Sequence, residues 1–441
     1  MTYREPAHRS PALVRPPQIL GFAFYVLGTG CVALAVAQLA TFAENLHAIP
    51  FSPVSIWSFV VGEAMVLLGL AIGWRATKGY QRRLLGVAAT LWLTLFVLEM
   101  QRERTVTYLL AHAPSALGGS IAASFVGRAI VLCVVALVVH ASGRAFAART
   151  WATTLGATLV FADAWAGAWP VVTRVSFTGG TARLFHTTPS MLFAGIGLLV
   201  MSGGLYAAGR TILSGITTDE YRRAHPRRVD PSGDPAKDAS PPPDLGAGLP
   251  LFADAAVAIA GLAIAHAVSL AASSKLGISM HDIDDTSTLG GELFAWTLMV
   301  VALRRMKPLT ARAATLALLA AGALVAVTAL RYVLWSNGLF APAGQGSLAR
   351  AILPVAEVAR WVLVIVTLFA VTKPLAPYVR SSRFARVLAF SVPVSLLAVY
   401  GRSAVGAGPV EIAFAVLLGA FALYAAIGMA REVRRAEVDL T

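Results

Sequence analysis

Cysteine is nearly absent from this sequence: Cys31 and Cys133 are the only two, and both fall within apolar stretches. Without closely spaced cysteines there is neither a disulfide framework nor a CxxC metal or redox motif. Charge is scarce too, at 13% of 441 residues, against roughly 25% in an average soluble domain. So few charges over this length imply that lipid is the solvent. Acids are the rarer sign, 22 against 36 Lys and Arg. In a soluble protein that surplus would point to nucleic acid; in an apolar one the retention of cations on one membrane face is sufficient cause, and no nucleic-acid partner is expected. Phosphate-cradling P-loops, GxGxxG, HExxH and GxSxG are all lacking, which excludes a built-in ATP-driven pump or hydrolase site. No enzymatic activity and no resident cofactor are expected.

Long polar segments are also lacking, with one exception. Residues 209–250, rich in Pro, Asp, Ser and Arg, cannot bury enough apolar surface to fold and read as a linker. On either side lie apolar runs of the roughly 20 residues that a helix needs to cross about 30 Å of hydrocarbon. The spacing predicts spans at 18–41, 54–74, 84–101, 119–141, 150–172 and 187–208, and at 251–273, 287–304, 311–335, 350–372, 384–401 and 409–430. The runs are too long and too uniformly apolar for the alternating strands of a barrel. The expected fold is therefore all-α and polytopic, with a tail at 1–17, a six-helix unit at 18–208, the linker at 209–250, a second unit at 251–430 and a tail at 431–441. The run Ile19–Ala40 exceeds the core of a cleaved signal, so cleavage is not expected. Of the 36 cations, 26 fall in the tails, the linker and alternate loops, which predicts that both termini and the linker are cytoplasmic. Heavy use of Ala, Gly and Arg suggests a bacterial source, hence an inner membrane.

Sliding the second half over the first at about 230 residues aligns short matches. Val126-Gly127-Arg128 falls on Val358-Ala359-Arg360, Leu205-Tyr206-Ala207-Ala208 on Leu423-Tyr424-Ala425-Ala426, and Gly62-Glu63 on Gly291-Glu292. Their shared order predicts duplication, with copies related by an axis along the membrane normal. Each copy then carries an outer His (His47, His281), an acid in its second span (Glu63, Glu292) and a base in its fourth (Arg128, Arg360). Ionised groups in hydrocarbon cost several kcal/mol unless paired, so these residues are expected to find partners. They either brace two spans or line a polar path. Glu357, three residues before Arg360, offers that cation a local partner. Asp163, set among Phe161, Trp165 and Trp169, is a candidate contact for solute or proton, and His266 in the seventh span is a further candidate on the path or a hydrogen-bonded packing residue.

His47, His112, His186 and His281 belong to the outer side, and His47 and His281 are the candidate metal ligands. Their spacing does not place two of them on one helix face. Asp282, Asp284 and Asp285 lack the Gly and distal Glu of a calcium loop, and the charged run Met100–Arg104 is expected at the headgroups.

The plan of six plus six spans with a long linker resembles the major facilitator architecture, although the loop Gly73–Arg83 lacks the Asp of that family's signature. The stretch from Leu289 through Lys307-Pro308-Leu309-Thr310 to Trp361, Phe369 and Tyr378 resembles the NnrS-type family of twelve-span haem and copper proteins. Where that family has Trp-His-x-His-Glu, this chain has Trp57-Ser58-Phe59-Val60-Val61-Gly62-Glu63, so the haem-ligand histidines are missing. The leading expectation is a secondary permease for a small polar or amphipathic solute, with Glu63, Arg128, Asp163, Glu292, Arg360 and His266 on its path. The alternatives are an NnrS-like haem- or metal-binding redox or stress-response protein, and a non-catalytic membrane subunit that meets a protein partner through the linker.

Overall fold

The computed structural model describes residues 18–46, 52–112, 114–142, 149–172, 189–214, 248–276, 289–306, 311–336, 366, 370 and 409–440. Among these the chain is helical apart from short connections, with no strand: α1 Gln18–Leu46, α2 Pro53–Ala76, α3 Gly79–His112, α4 Pro114–Ser142, α5 Thr150–Val172, α6 Pro189–Ser214, α7 Leu249–Leu276, α8 Leu289–Arg305, α9 Ala311–Ser336 and α10 Pro409–Leu440. Each overlaps a predicted span, because an apolar segment can satisfy its backbone polar groups away from water only within itself. The span expected at 384–401, and that at 350–372 except for residues 366 and 370, lie outside the described residues. The helices outrun the apolar runs in three places. α3 carries on through the charged run Met100–Arg104 to His112, α6 passes Gly209 to reach Ser214, and α10 continues to Leu440.

Among the described residues, four helices contain segments long and apolar enough to cross a bilayer: Gln18–Glu44, Pro53–Ala76, Gly79–Glu99 and Met191–Ser214. α2 and α3 also turn large apolar side chains outward, among them Ile56, Trp57, Val61 and Leu68 on α2 and Val87, Leu93 and Leu98 on α3. Such a surface suits lipid and is disfavoured in water.

Local chemistry fixes the corners. Ser52 caps α2 through its hydroxyl, which accepts from the Ser55 N–H, and Pro53 opens the helix, where its missing N–H costs nothing. Glu44, near the end of α1, accepts from both the backbone N–H and the hydroxyl of Ser52, tying that corner shut. At the other end of α2, the Thr77 N–H and hydroxyl both donate to the Gly73 carbonyl, at 3.0 and 2.9 Å. Gly79 then takes φ +61, a left-handed conformation that glycine adopts without steric penalty. The chain thereby reverses from α2 into α3 within a few residues.

Packing relies on small residues. Gly62 and Gly69 let α2 lie against Leu34 and Leu27 of α1; a Cβ on either glycine would sit 2.9 or 3.0 Å from the leucine backbone nitrogen. Both pairs are spaced by seven, the repeat that keeps two helices in register over several turns. Gly156 of α5 and Gly197 of α6 approach each other in the same way, as close interhelical contact in lipid requires.

In the first half each helix packs on the next, and α6 returns to α1, so α1–α6 form a closed cycle. In the second half α7 packs on α8 and α10, and α8 on α9. The halves meet chiefly through α5, which touches α7 and α8 as well as α4 and α6. α5 tolerates this enclosure because its buried hydroxyls bond to its own backbone: Thr153 and Thr154 donate to the Thr150 carbonyl and Thr158 to that of Thr154.

Candidate functional site

Arg128 sits midway along α4, 14 residues before Ser142, or about 21 Å from that end at about 1.5 Å per residue. Three helices converge on its guanidinium. Glu99 of α3 accepts both terminal nitrogens in a fork, Oε1 and Oε2 each at 2.6 Å. Ser124, one turn earlier on α4, donates its hydroxyl to Glu99 Oε1 at 2.6 Å and accepts from Arg128 Nη1 at 3.2 Å. Glu63 of α2 brings Oε1 to 3.0 Å from Arg128 Nε. Phe59 and Trp92 place ring centroids 5.3 and 5.8 Å from the guanidinium carbon, so aromatic faces supply part of its solvation.

The two carboxylates are held differently. Glu99 and Arg128 retain 15% and 14% side-chain exposure, whereas the Glu63 side chain is sealed at 0%. Although Glu63 Oε1 is close to Arg128 Nε, the N–H is not aimed along that line, and neither Glu63 oxygen receives a hydrogen bond among the described residues. The Trp92 indole N–H donates at 3.3 Å to the Glu63 backbone carbonyl instead. Glu63 is thus neutralised by proximity without being solvated by donors. With both acids ionised, the cluster would hold two negative charges against one positive.

Of the residues singled out in the sequence, Glu63 and Arg128 come together as expected. Asp163 on α5 is half-buried 13 residues beyond Thr150, at nearly the level of Arg128 on the neighbouring helix. Glu292 opens α8, whose first turns are seated on α5. A Cβ on Gly291 would meet the Thr158 carbonyl and the Ala162 Cβ at 2.8 and 3.1 Å, and Phe161 and Phe294 place their centroids 6.0 Å apart. The turn bearing Glu292 therefore packs beside the turn that leads into Asp163. His266 lies on α7 with its side chain outside the described residues, and Arg360, His47 and His281 fall outside them altogether. Among the described residues no three His, Cys, Asp or Glu gather in a way that would hold a metal ion.

Five residues of this polar framework escape sequence reasoning. Glu99 lies at the end of the span predicted at 84–101, just before the charged run Met100–Arg104, and is not singled out in the sequence, yet α3 continues through that run and Glu99 meets Arg128. Ser124 is legible only through its four-residue spacing from Arg128, and Trp92 resembles any apolar ring. His140 and Asp254 stand alone near helix ends, 114 residues apart, but the His140 Nδ1–H donates to Asp254 Oδ2 at 2.9 Å. That bond joins α4 of the first half to α7 of the second, with Asp254 buried. Comparison with known proteins finds no matching family model, no matching curated protein and no matching solved structure.

Proposed function

We propose that this chain is a secondary permease of the bacterial inner membrane, with twelve spans in two duplicated six-helix units and with both termini and the linker in the cytoplasm. Duplication is supported by helix adjacency: α7 touches α8 and α10, and α8 touches α9, as α1 touches α2 and α6, and α2 touches α3. In this reading the Glu63–Arg128–Glu99 cluster is the coupling site. A proton on Glu63 balances the charge and leaves Arg128 held by Glu99 alone, while loss of that proton draws Arg128 back toward Glu63. The solute is small and polar or amphipathic, and it passes near the level shared by Arg128 and Asp163, between the halves.

The observation that carries this reading is the sealed carboxylate of Glu63, which has a counter-ion and, among the described residues, no hydrogen-bond donor. A residue serving only to brace helices would be expected to have its oxygens satisfied, as those of Glu99 are. The fork by which Glu99 holds both terminal nitrogens of Arg128 favours a second reading, in which the cluster only fixes how α2, α3 and α4 pack. The two separate in charge-displacement measurements on the reconstituted full chain, challenged with a panel of small organic anions and amphipathic cations across a pH step. Transport predicts a transient current with at least one solute that disappears in Glu63→Gln and Arg128→Gln proteins of unchanged helical content. Solute-dependent currents that persist at full size in both variants would sink the coupling assignment, and silence across the whole panel would favour the bracing reading.

A further inference from the structure

Four exposed cations crowd the hairpin that joins α2 to α3. Arg75 stands in the last turn of α2, Lys78 in the connection, and Arg82 and Arg83 at the start of α3. The described segments that flank the hairpin supply no counter-charge. No Asp or Glu occurs between Glu63 and Glu99, and none occurs in α1 before Glu44 or from Val126 to the end of α4, the segments that flank the hairpin. Among the described residues no ion pair engages any of the four. The first turn of α3 is free of acids as well, so its exposed backbone N–H groups add to the positive potential.

This cluster is ordered and sits beside apolar surface. The Trp74 indole lies along α3, with Nε1 3.0 Å from where a Gly86 Cβ would be, and the Arg82 guanidinium is stacked 4.8 Å over its ring. Trp74 is nonetheless 42% exposed and Tyr80 74% exposed, as suits aromatic residues at the boundary between headgroups and acyl chains. One turn beyond Arg83, Val87 begins the outward apolar face that continues along α3 through Leu93 and Leu98. Positive charge, interfacial aromatics and a lipid-compatible wall therefore follow one another along a single surface. The capped Thr77 and the left-handed Gly79 keep the two cationic ends of the hairpin together.

We propose that this hairpin is a binding site for anionic phospholipid. Arg75, Lys78, Arg82 and Arg83 receive the headgroup phosphate, Trp74 and Tyr80 mark the glycerol level, and the α3 wall takes the acyl chains. A neutral zwitterionic headgroup would leave the four cations uncompensated. The site rests on the apolar helices being membrane-embedded and is independent of whether the protein transports anything.

The test uses the full chain reconstituted in vesicles of phosphatidylcholine containing either acyl-brominated phosphatidylglycerol or acyl-brominated phosphatidylcholine. The signal is the Trp74 fluorescence, taken as the difference between the native chain and Trp74→Phe. Brominated phosphatidylglycerol should quench it at a lower mole fraction than brominated phosphatidylcholine. That preference should fall about fivefold for each cation removed in Lys78→Gln and Lys78→Gln/Arg82→Gln, with flotation of the vesicles reporting insertion. Equal quenching by the two lipids in the native chain overturns the proposal without recourse to any charge variant. Loss of the preference in inorganic phosphate, compared with chloride at equal ionic strength, would instead assign the cations to a soluble anion and overturn the lipid site.

Discussion

Arg128 meets two carboxylates inside the first six helices, and they hold it unequally. Removing it as Arg128→Leu leaves Glu63 and Glu99 facing each other without a cation, a change expected to destabilise by about 3–5 kcal/mol, as breaking buried pairs generally does. Glu63→Gln should be far milder, within about 1 kcal/mol, because Glu99 still holds the guanidinium in its fork and a neutral amide needs no counter-ion. Glu99→Gln should fall between the two, since the amide keeps one acceptor but loses the second arm of the fork and the negative charge. Thermal unfolding of the three variants in detergent checks that order; a Glu63→Gln protein as unstable as Arg128→Leu would contradict it. The sequence shows that Glu63 and Arg128 need partners, because isolated charges in apolar runs are costly. It conceals Glu99, whose neighbours Gln101, Arg102, Glu103 and Arg104 make it look like one member of a surface run.

Helices α1 and α2 depend on the absence of side chains at Gly62 and Gly69. Gly62→Leu would drive its side chain into Leu34, where a Cβ alone would lie 2.9 Å from a backbone nitrogen. Such overpacking is expected to destabilise by about 1–3 kcal/mol and to move α2, and Glu63 with it, away from Arg128. Gly203 on α6 is the control: a Cβ there meets nothing within 4 Å. Gly203→Ala should therefore be neutral or stabilise by up to about 1 kcal/mol through helix propensity alone. Comparison of their melting temperatures tests whether glycine acts at these positions by contact or by composition. At this scale the sequence is most readable, since run length and apolarity predict every described helix. It is least readable at helix ends, where α3 and α6 extend past the predicted ends of their spans because nothing in the continuation breaks a helix.

Among the described residues, the two halves meet chiefly through α5, and the buried His140–Asp254 bond is a polar contact between them. The His140–Asp254 bond links α4 to α7 near the end of the bundle at which the α2–α3 hairpin also lies. A double-mutant cycle with His140→Ala and Asp254→Ala should return a coupling energy of about 0.5–3 kcal/mol. Asp254→Asn should lose less than Asp254→Leu, because it keeps an acceptor for the imidazole N–H. Additive effects in the cycle would show that the contact carries no part of the association between halves.

Composition and run length by themselves determined that this protein is helical and apolar enough to lie in a membrane. The reason is local: a segment without water must satisfy each N–H and C=O within its own helix, and about 20 apolar residues suffice for that. The need of Glu63 and Arg128 for partners was equally local, a matter of one charge in one apolar run. Only the tertiary structure decided who those partners are. Glu99 and Arg128 are 29 residues apart and His140 and Asp254 are 114 apart, and no periodicity spans such distances. What selects these pairs is the order in which helices pack, set by glycines such as Gly62 and Gly156 that are small on one face and ordinary in sequence. The same packing folds α2 back on α3 and so brings Arg75 and Lys78 beside Arg82 and Trp74.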